Sequence, residues 1–248
     1  MDWYIYILVI LVGIIAGFIN TVAGGGSILT LPLLMFMGLP AVIANGTNRI
    51  GILFQSIVST GSFKNQNVLD LKSSFWLGIP AIIGSLIGAM IAVDLNENVM
   101  EKTIGALLIF MFFIILLKPS EWIKNREGVA LPYWLQTIIF FFIGIYGGFI
   151  QAGVGFFLLA GLVLGSGFDL VKANAIKALV LLMFTIFALA VFMINDQVNY
   201  FVGIILALGN MIGAYFGAKY TVKWGVKFVR YVLLITILIS SIKLLGVF

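Results

Sequence analysis

The sequence predicts an all-α integral membrane protein of about ten helical elements, eight long and two short, arranged as two five-element inverted repeats. Three observations favour this fold class. Apolar residues make up 62% of the 248 residues, charged residues make up only 9%, and glycine-containing motifs recur in the same order in both halves. An average soluble domain carries roughly 25% charged residues, so the composition excludes an ordinary cytosolic protein.

Ten apolar stretches follow one another along the chain. They are 3–20, 27–38, 41–62, 73–93, 102–117, 133–151, 156–167, 171–194, 198–218 and 228–247. A spanning helix needs about 20 apolar residues, whereas 27–38 and 156–167 have 12 residues each. At about 1.5 Å per residue these two reach about 18 Å into a hydrocarbon core of about 30 Å. We therefore expect them to be half-helices or short, steeply packed spans.

Three collinear blocks of matching residues relate the two halves. The first block matches Gly13, Gly17, Phe18 and Ile19 with Gly144, Gly148, Phe149 and Ile150; the second matches Gly24, Gly26, Ala44 and Asn45 with Gly153, Gly155, Ala173 and Asn174; the third matches Gly78, Gly84, Ile87, Gly88 and Ala89 with Gly203, Gly209, Ile212, Gly213 and Ala214. The conserved order favours duplication over chance. It predicts a first transmembrane repeat at 1–120, a cytoplasmic linker loop at 121–132 and a second transmembrane repeat at 133–248.

The direction of each half follows from the number of elements and the position of the charges. Because five is odd, a second half of five elements enters the membrane in the opposite sense. Lys and Arg accumulate on the cytoplasmic side, and the ten-element scheme puts all four basic loops on one side, with both termini outside. The basic loops carry Lys64 and Lys72; Lys118, Lys124 and Arg126; Lys172; and Lys219, Lys223, Lys227 and Arg230. The opposite loops, 94–101 and 195–199, carry only acidic charges. If the short elements were re-entrant, the repeat would be parallel with four spans each, which fits the charge pattern less well.

Glycine-rich breaks precede both short elements, at 23–27 and 152–155. An interrupted helix at membrane depth leaves backbone N–H groups unpaired, which is tolerated only inside protein or beside a wet cavity. The free donors of a helix N-terminus attract anions. We expect Ser27 and Phe156 to begin the short helices, and we expect substrate to bind at Gly24, Gly25, Gly26, Ser27, Gly153 and Gly155. Helix packing would equally explain any one of these glycines, but their position at the head of both short elements favours binding.

Two cations, Arg49 and Lys177, lie inside apolar stretches, whereas all nine acidic residues fall in or beside predicted loops. A buried cation costs about 2.5–3.5 kcal/mol or more, and an anion is its natural missing partner here. Two alternatives stay open for each cation: it extends toward the helix end, or it caps the carbonyls of a broken helix. Other polar residues complete the predicted substrate-binding site: Thr47, Asn48, Asn174 and, beside the second break, Gln151.

Composition excludes several other kinds of site. The chain has no cysteine and no histidine, so thiolates, imidazole bases and the usual zinc or haem ligands are absent. We therefore expect no metal, no cofactor and no enzymatic activity. The net charge of +5 comes without the basic run interleaved with aromatics that nucleic acid would need. The expected partners are a small anion and the lipid bilayer, and a homodimer stays open.

The segment from Gly17 to Pro40 (GFINTVAGGGSILTLPLLMFMGLP), followed by Ala44 to Asn48 (ANGTN), resembles the sulfite exporter TauE/SafE family of bacterial and archaeal membrane permeases. The second half repeats a weaker form, GGFIQAGVGFF and ANAIKAL. The first motif is fairly specific because it joins a glycine cluster, a short helix and a GTN element at set spacing. The resemblance implies a multi-pass exporter of the plasma (inner) membrane that carries small sulfur-containing anions such as sulfite or organosulfonates.

The sequence thus predicts a transporter that moves a small anion through a central site where the two breaks meet, with one repeat rocking against the other. An anion channel is the main alternative, and it would pass currents too large for a carrier cycle. A membrane-embedded enzyme is disfavoured because no His, Cys or intramembrane acid could act as base or nucleophile. A non-catalytic assembly factor would not need cations at membrane depth.

Overall fold

The described part of the chain is entirely helical, as the composition predicts. A computed structural model of the chain describes residues 3–117 and 130–244, with side chains over 3–110 and 130–224. These residues form nine α-helices and one π-helical turn, without a strand. In chain order they are α1 (Trp3–Val22), α2 (Ser27–Phe36), α3 (Ala41–Asn65), α4 (Leu71–Val93), α5 (Glu97–Leu117), α6 (Tyr133–Phe149), α7 (Val154–Ala160), the π-turn (Gly161–Gly165), α8 (Leu170–Ile194) and α9 (Tyr200–Leu244). Most of the predicted linker, 121–129, lies outside the described residues.

Among the residues described with side chains, four helical segments are long and apolar enough to cross a membrane: α1, α4, α8 and Tyr200–Trp224 of α9. α3 equals α8 in length, at 25 residues, but seven of its buried residues are polar or charged. These seven are Asn45, Thr47, Asn48, Arg49, Gln55, Ser56 and Ser59. Because polar groups at membrane depth need partners or a wet cavity, α3 turns this polar face to the interior of the bundle.

The predicted separation between the stretches 198–218 and 228–247 is wrong, because α9 runs continuously over 45 residues. The charges between these stretches indicate a membrane boundary, but lysine and arginine are good helix formers. The segment 219–230 has no proline, and its single glycine costs only about 1 kcal/mol in a helix. The described residues therefore form nine α-helices where ten elements were expected. The expectation that the C-terminus lies outside required a separate tenth crossing at 228–247, and this stretch continues α9 instead.

The short elements begin at or near their predicted positions. α2 begins at Ser27, as expected. The expectation that Phe156 begins the other is wrong by two residues, because α7 begins at Val154. Gly153 precedes it with φ 72°, a left-handed conformation that glycine adopts without steric cost, so the helix starts directly after it. α7 and the π-turn together cover Val154–Gly165, close to the predicted 156–167.

Each half packs its first helix against a helix of the other half. α1 lies against α9, and α6 lies against α4. Both contacts are close because glycines face backbone: a Cβ on Gly17 would overlap Asn210, and a Cβ on Gly148 would overlap Ser85. Gly17 and Gly148 are equivalent in the first block of matches, and Ser85 and Asn210 share the offset of the third. The small-xxx-small spacing of the glycines thus serves helix packing.

Charged side chains mark two ends of the bundle. At the end that we call the basic end, Lys172 at the start of α8 forms a 3.0 Å ion pair with Asp70, which precedes α4. At the opposite, acidic end, the Glu97 carboxylate accepts hydrogen bonds from the backbone N–H groups of Ala41 and Val42. α3 and α9 therefore run from the acidic end to the basic end, and α4 and α8 run back.

The two short helices turn back along the helices that precede them. A Cβ on Gly26 would overlap the carbonyl oxygen of Ala16, in the last third of α1. In the second half, the N–H of Leu131 donates to the carbonyl of Gly165 at 2.7 Å, which returns the end of the π-turn to the start of α6. The α1–α2 hairpin therefore leads back to the acidic end, and the α6–α7 hairpin leads back to the basic end.

Candidate functional site

The two glycine-rich breaks contact each other backbone to backbone. A Cβ on Gly24 would overlap the carbonyl carbon of Gly155, and a Cβ on Gly155 would overlap the Cα of Gly24. Gly24 also has φ 89°, so both its conformation and its surroundings require glycine. Gly25 faces the ring of Phe156, 2.5 Å from a Cβ position. The structure thus brings together the break residues that the sequence places at opposite ends of the chain.

Several backbone N–H groups at the breaks have no acceptor. At the first break these are the N–H groups of Gly25, Gly26 and Ser27, for which no partner occurs among the described residues. The first hydrogen bond of the new helix joins the N–H of Ile28 to the carbonyl of Gly25 at 3.2 Å. All four residues but Ile28 are buried. Free, buried N–H donors at the start of α2 form a positive pole suited to an anion.

The second break is built in a similar way. Over the described ranges its unpaired N–H groups belong to Gln151, Ala152, Gly153 and Gly155. All four residues are buried. The donors of both breaks therefore lie around the one point where the backbones touch.

Lys177, on α8, reaches the C-terminal end of α1. Its ammonium donates to the carbonyls of Asn20 at 2.9 Å and Thr21 at 2.8 Å, and to Oδ1 of Asn174 at 2.6 Å. The side chain is 1% exposed, and all three of its N–H donors are engaged. The cation thus faces the negative pole of the α1 macrodipole.

Arg49, on α3, reaches the C-terminal end of α6 in the same way. Its guanidinium donates to the carbonyls of Gly147 at 3.0 Å, Gly148 at 2.5 Å and Phe149 at 3.4 Å. The side chain is 0% exposed, and its Nε lacks a partner in the described part of the chain. Its charge lies 4.5 Å from the ring centroid of Phe192. Capping, one of the alternatives open from the sequence, is thus the arrangement of both cations.

The caps are exchanged between the halves. Lys177 belongs to the second half and caps the broken helix of the first, whereas Arg49 belongs to the first half and caps that of the second. Two equivalent asparagines repeat the exchange: Asn174 Nδ2 donates to the carbonyl of Val22 at 3.0 Å, and Asn45 Nδ2 donates to the carbonyl of Phe149 at 2.7 Å. Each break is therefore held by a cation and an amide from the other half.

Asn48 and Gln151 also lie beside the breaks. Oδ1 of Asn48 accepts a 2.7 Å hydrogen bond from the Thr30 hydroxyl of α2, and Nε2 of Gln151 donates to the Thr185 hydroxyl of α8 at 2.6 Å. Within the described residues, Asn48 Nδ2 and Gln151 Oε1 are buried without a partner. Each side chain thus keeps one buried polar atom free.

Among the predicted site residues, Thr47 differs because its side chain bonds away from the breaks. Its hydroxyl accepts a 2.9 Å hydrogen bond from the N–H of Asn199, at the start of α9, so it ties α3 to the acidic end. Thr30 and Thr185 bond to Asn48 and Gln151, and neither threonine was predicted from the sequence to belong to the site. The one signal for Thr185 was its alignment with Ser56 at the offset of the second block, which joins two hydroxyl side chains.

The described acidic residues stay away from these cations. Six of the nine acidic residues lie in the described part, and none of the six is buried. They are Asp70, Asp94, Glu97, Glu101, Asp169 and Asp196. Among those six, no carboxylate offsets the two buried positive charges, which face helix carbonyls, amide oxygens and the Phe192 ring instead.

Comparison with known proteins agrees with this architecture. A Sinorhizobium protein named probable membrane transporter protein ORF9 is 29% identical over 94% of this chain and 89% of its own length. The probable membrane transporter protein YfcA of Escherichia coli is 30% identical over 94% of this chain and 87% of its own. A probable membrane transporter protein of Haemophilus influenzae is 26% identical over 98% and 96%. No solved structure gives a significant match. The family model of the sulfite exporter TauE/SafE family matches residues 9–244, and the chain therefore belongs to this family of membrane transporters.

Proposed function

We propose that the protein exports a small anion of the sulfur-oxyanion class, such as sulfite or an organosulfonate, across the plasma membrane. One observation carries this proposal: two buried cations and a set of unpaired backbone N–H groups surround the point where two helix breaks touch. The name of the family, sulfite exporter, supports the substrate class. The proposed binding residues are those predicted from the sequence, except Thr47.

The electrostatics of the site favour an anion. A protonated lysine or arginine carries a full positive charge, whereas the helix C-terminus that it caps carries only about half a negative charge. About half a positive charge thus remains at each break. The free N–H groups at the start of α2 add a second positive pole, and an oxyanion offers several acceptor oxygens to them.

Helix contacts suggest which parts would move. α1, α3 and α5 pack on α9, and α2 packs on α1 and α3; α6 and α8 pack on α4, and α7 packs on α6 and α8. We call these sets unit one and unit two; their main contact is between α3 and α8. Alternating access would occur by rocking these units, rather than one sequence repeat against the other, because glycines lock α1 to α9 and α6 to α4.

Both cations bridge the two units. Lys177 of unit two bonds to α1 of unit one, and Arg49 of unit one bonds to α6 of unit two. Rocking would have to break or rearrange these hydrogen bonds. An anion between the breaks offers the cations another partner, so substrate would lower the cost of separating the units. A ligand shifts a conformational equilibrium only through such a difference in affinity.

The charge distribution supports an orientation. We place the basic end in the cytoplasm, following the excess of lysine and arginine in cytoplasmic loops, with the N-terminus outside. The α1–α2 hairpin leads back to the acidic end and the α6–α7 hairpin to the basic end. In the re-entrant scheme considered from the sequence, the first long element crosses the membrane alone; here α1 and α2 together return to the side where α1 begins. The three further helices of the first half, an odd number, then reverse the second half, which supports an inverted repeat.

The coupling mode follows from the same charges. Without a buried carboxylate among the described residues, we expect uniport driven by the membrane potential, worth about 2.3 kcal/mol per charge per 100 mV, or coupling through protonation of the substrate itself. Flux of labelled sulfite in proteoliposomes should respond to an imposed voltage. A flux that is independent of voltage and depends only on a proton gradient would reject uniport.

Binding can be tested without transport. The unfolding temperature of the purified protein should rise with sulfite or an organosulfonate, because a ligand of the folded state stabilises it by mass action. Chloride and a cationic analogue such as choline serve as controls. If no sulfur anion either stabilised the protein or was transported, the proposed substrate class would be rejected.

A further inference from the structure

Four buried hydroxyl oxygens lie on the basic-end side of the first break. They belong to Thr21 of α1, Ser56 and Thr60 of α3, and Thr221 of α9, and each lacks a hydrogen-bond partner within the described residues. The proposed substrate contacts use none of them. They lie on three helices that converge at the C-terminal end of α1.

Close contacts bring these three helices together. Asn20 Nδ2 donates to Gln55 Oε1 at 3.2 Å, so the residues that follow them, Thr21 and Ser56, lie on neighbouring turns. A Cβ on Gly217 would lie 3.0 Å from the Cβ of Thr21. Thr221 is one helical turn further along α9, toward the basic end. Thr60 is likewise one turn beyond Ser56 on α3, so the four residues lie on adjacent turns of three packed helices, between the break and the basic end.

Buried hydroxyls without hydrogen-bond partners destabilise a protein unless water reaches them. Each buried donor or acceptor without a partner costs about 1–3 kcal/mol, and nearly all such groups in proteins are satisfied by protein or water. We infer that water reaches these four hydroxyls, and that they line the route by which the anion passes between the basic end and the breaks. The claim that the anion uses this route rests on the proposed function. The claim that water reaches the four hydroxyls does not.

The equivalent route toward the acidic end lacks this lining. At the offset of the second block, Ser56, Ser59 and Thr60 correspond to Thr185, Ala188 and Leu189 of α8. The Thr185 hydroxyl is already bonded to Gln151, and Ala188 and Leu189 are apolar and buried. The part of the lining that α3 supplies is therefore one-sided, because α8 supplies no equivalent free hydroxyl at these positions, which the internal repeat alone would not predict.

Phe63 closes the route in the described conformation. It follows Thr60 on α3, is fully buried, and belongs to the same apolar cluster as Ala175 and Ala178 of α8 and Ala218 of α9. Its repeat equivalent is Phe192, which is fully buried at the acidic end. A shift of α8 away from α3 would uncover Phe63 and open the route.

Cysteine labelling tests this inference directly, because the chain has no cysteine of its own. Single variants Ser56→Cys, Thr60→Cys and Thr221→Cys are compared with Ile57→Cys. Ile57 is 48% exposed on the outer face of α3, next to Ser56, and serves as the lipid-facing control. Membrane-impermeant methanethiosulfonates bearing a sulfonate or a trimethylammonium group are added to vesicles of either orientation. Rates are divided by each reagent's rate with a free thiol, and sulfite is omitted because it attacks the disulfide product.

Labelling of Ser56→Cys from the basic end should be about tenfold or more faster than labelling of Ile57→Cys, because only a hydrated thiol ionises and reacts. Phe63→Leu should raise that rate further. Rates no greater than the Ile57→Cys rate would overturn the inference, and equal labelling from the acidic end would overturn its one-sidedness. A protein that is labelled as expected but shows no preference for the sulfonate reagent would retain the water route and lose the anion, so the two proposals fail separately.

Discussion

Replacing Lys177 by glutamine should abolish transport while leaving the fold intact. The ammonium makes three hydrogen bonds, to the carbonyls of Asn20 and Thr21 and to Oδ1 of Asn174. The Asn20 carbonyl also accepts a 2.9 Å hydrogen bond from the N–H of Gly24, so it keeps a donor in any variant. The remaining two acceptors can share the two N–H donors of a glutamine amide.

Glutamine is therefore a better test than alanine. Lys177→Ala would leave the Thr21 carbonyl and the Asn174 amide oxygen without donors, at about 1–3 kcal/mol each, and loss of activity could then reflect misfolding. Lys177→Gln removes the charge while the hydrogen bonds are replaced. Because a buried charge carries a desolvation penalty of several kcal/mol, the unfolding temperature should stay the same or rise.

The effect on transport follows from the charge. An anion about 4 Å from the ammonium gains about 4 kcal/mol at an effective dielectric constant of 20. Since every 1.4 kcal/mol or so is a factor of ten in affinity, Lys177→Gln should weaken sulfite binding by about three orders of magnitude. Uptake of labelled sulfite by proteoliposomes and sulfite-induced thermal stabilisation should both report this loss.

Lys172→Gln is the matched control. Lys172 lies on the same helix, but its side chain is 40% exposed and pairs with Asp70 at the basic end. Exposed ion pairs contribute only about 0–1 kcal/mol, so this variant should transport almost normally. If Lys177→Gln kept its sulfite affinity within about tenfold of the unmodified protein, on the scale of 1.4 kcal/mol per decade, Lys177 would be a structural cap alone and the electrostatic reasoning would be refuted.

Three further predictions test the breaks, the second cation and the basic end. Gly24→Ala should unfold the protein or abolish flux. Gly38 has nearly the same φ, 86°, but nothing lies within 4 Å of a Cβ there, so Gly38→Ala should lower the free energy of unfolding by only about 1–2 kcal/mol, the cost of a left-handed residue. Equal decreases in the unfolding temperatures of the two variants would show that the contact between the breaks does not matter. Arg49→Lys should keep measurable sulfite flux, because a lysine makes the same kind of cap in the other half, whereas Arg49→Gln should lose it; equal flux from both would exclude a role for charge. Burial acts to raise the pKa of Asp70, but hydrogen bonds from Ser73 and Lys172 outweigh it and hold the pKa below its usual range, so its stabilising effect should be present near pH 7 and disappear as the pH falls below about 4. Asp70→Asn keeps a helix cap, so its unfolding temperature should lie below that of the unmodified protein at pH 7 and converge with it as the pH falls through the lowered pKa of Asp70 in the folded protein. A difference that stays constant with pH would contradict the assignment.

Local features of the fold could be predicted from sequence because they depend on local chemistry. Apolar stretches gave most helix boundaries within a few residues, and the glycine cluster placed the start of α2 at Ser27. The continuity of α9 could not be predicted from charge alone, because lysines mark where a helix leaves the membrane but do not end it. The start of α7 was missed by two residues because the left-handed turn at Gly153 is a property of tertiary packing.

The partners of the two cations lay beyond what the sequence could supply. Their position at membrane depth singled them out, but the carbonyls that they cap lie about one half of the chain away: the hydrogen bond from Lys177 to Thr21 spans 156 residues. Only the folded structure shows that each half caps the other. The same limit explains Thr47, whose polar neighbours in sequence suggested the breaks although its hydroxyl bonds to the start of α9.

The exchanged caps explain why a broken helix in this protein would select anions. A break exposes two opposite poles at once: the carbonyls that end one helix attract cations, and the N–H groups that begin the next attract anions. Here the carbonyl pole of α1 is occupied by Lys177 and that of α6 by Arg49, so the protein carries its own cations where another transporter would need sodium. The pole left free at the first break is the N–H pole of α2. Because both cations also join the two packing units, the rocking that we propose would rearrange the same groups that define the charge of the site, and selectivity and conformational change would then depend on one set of hydrogen bonds.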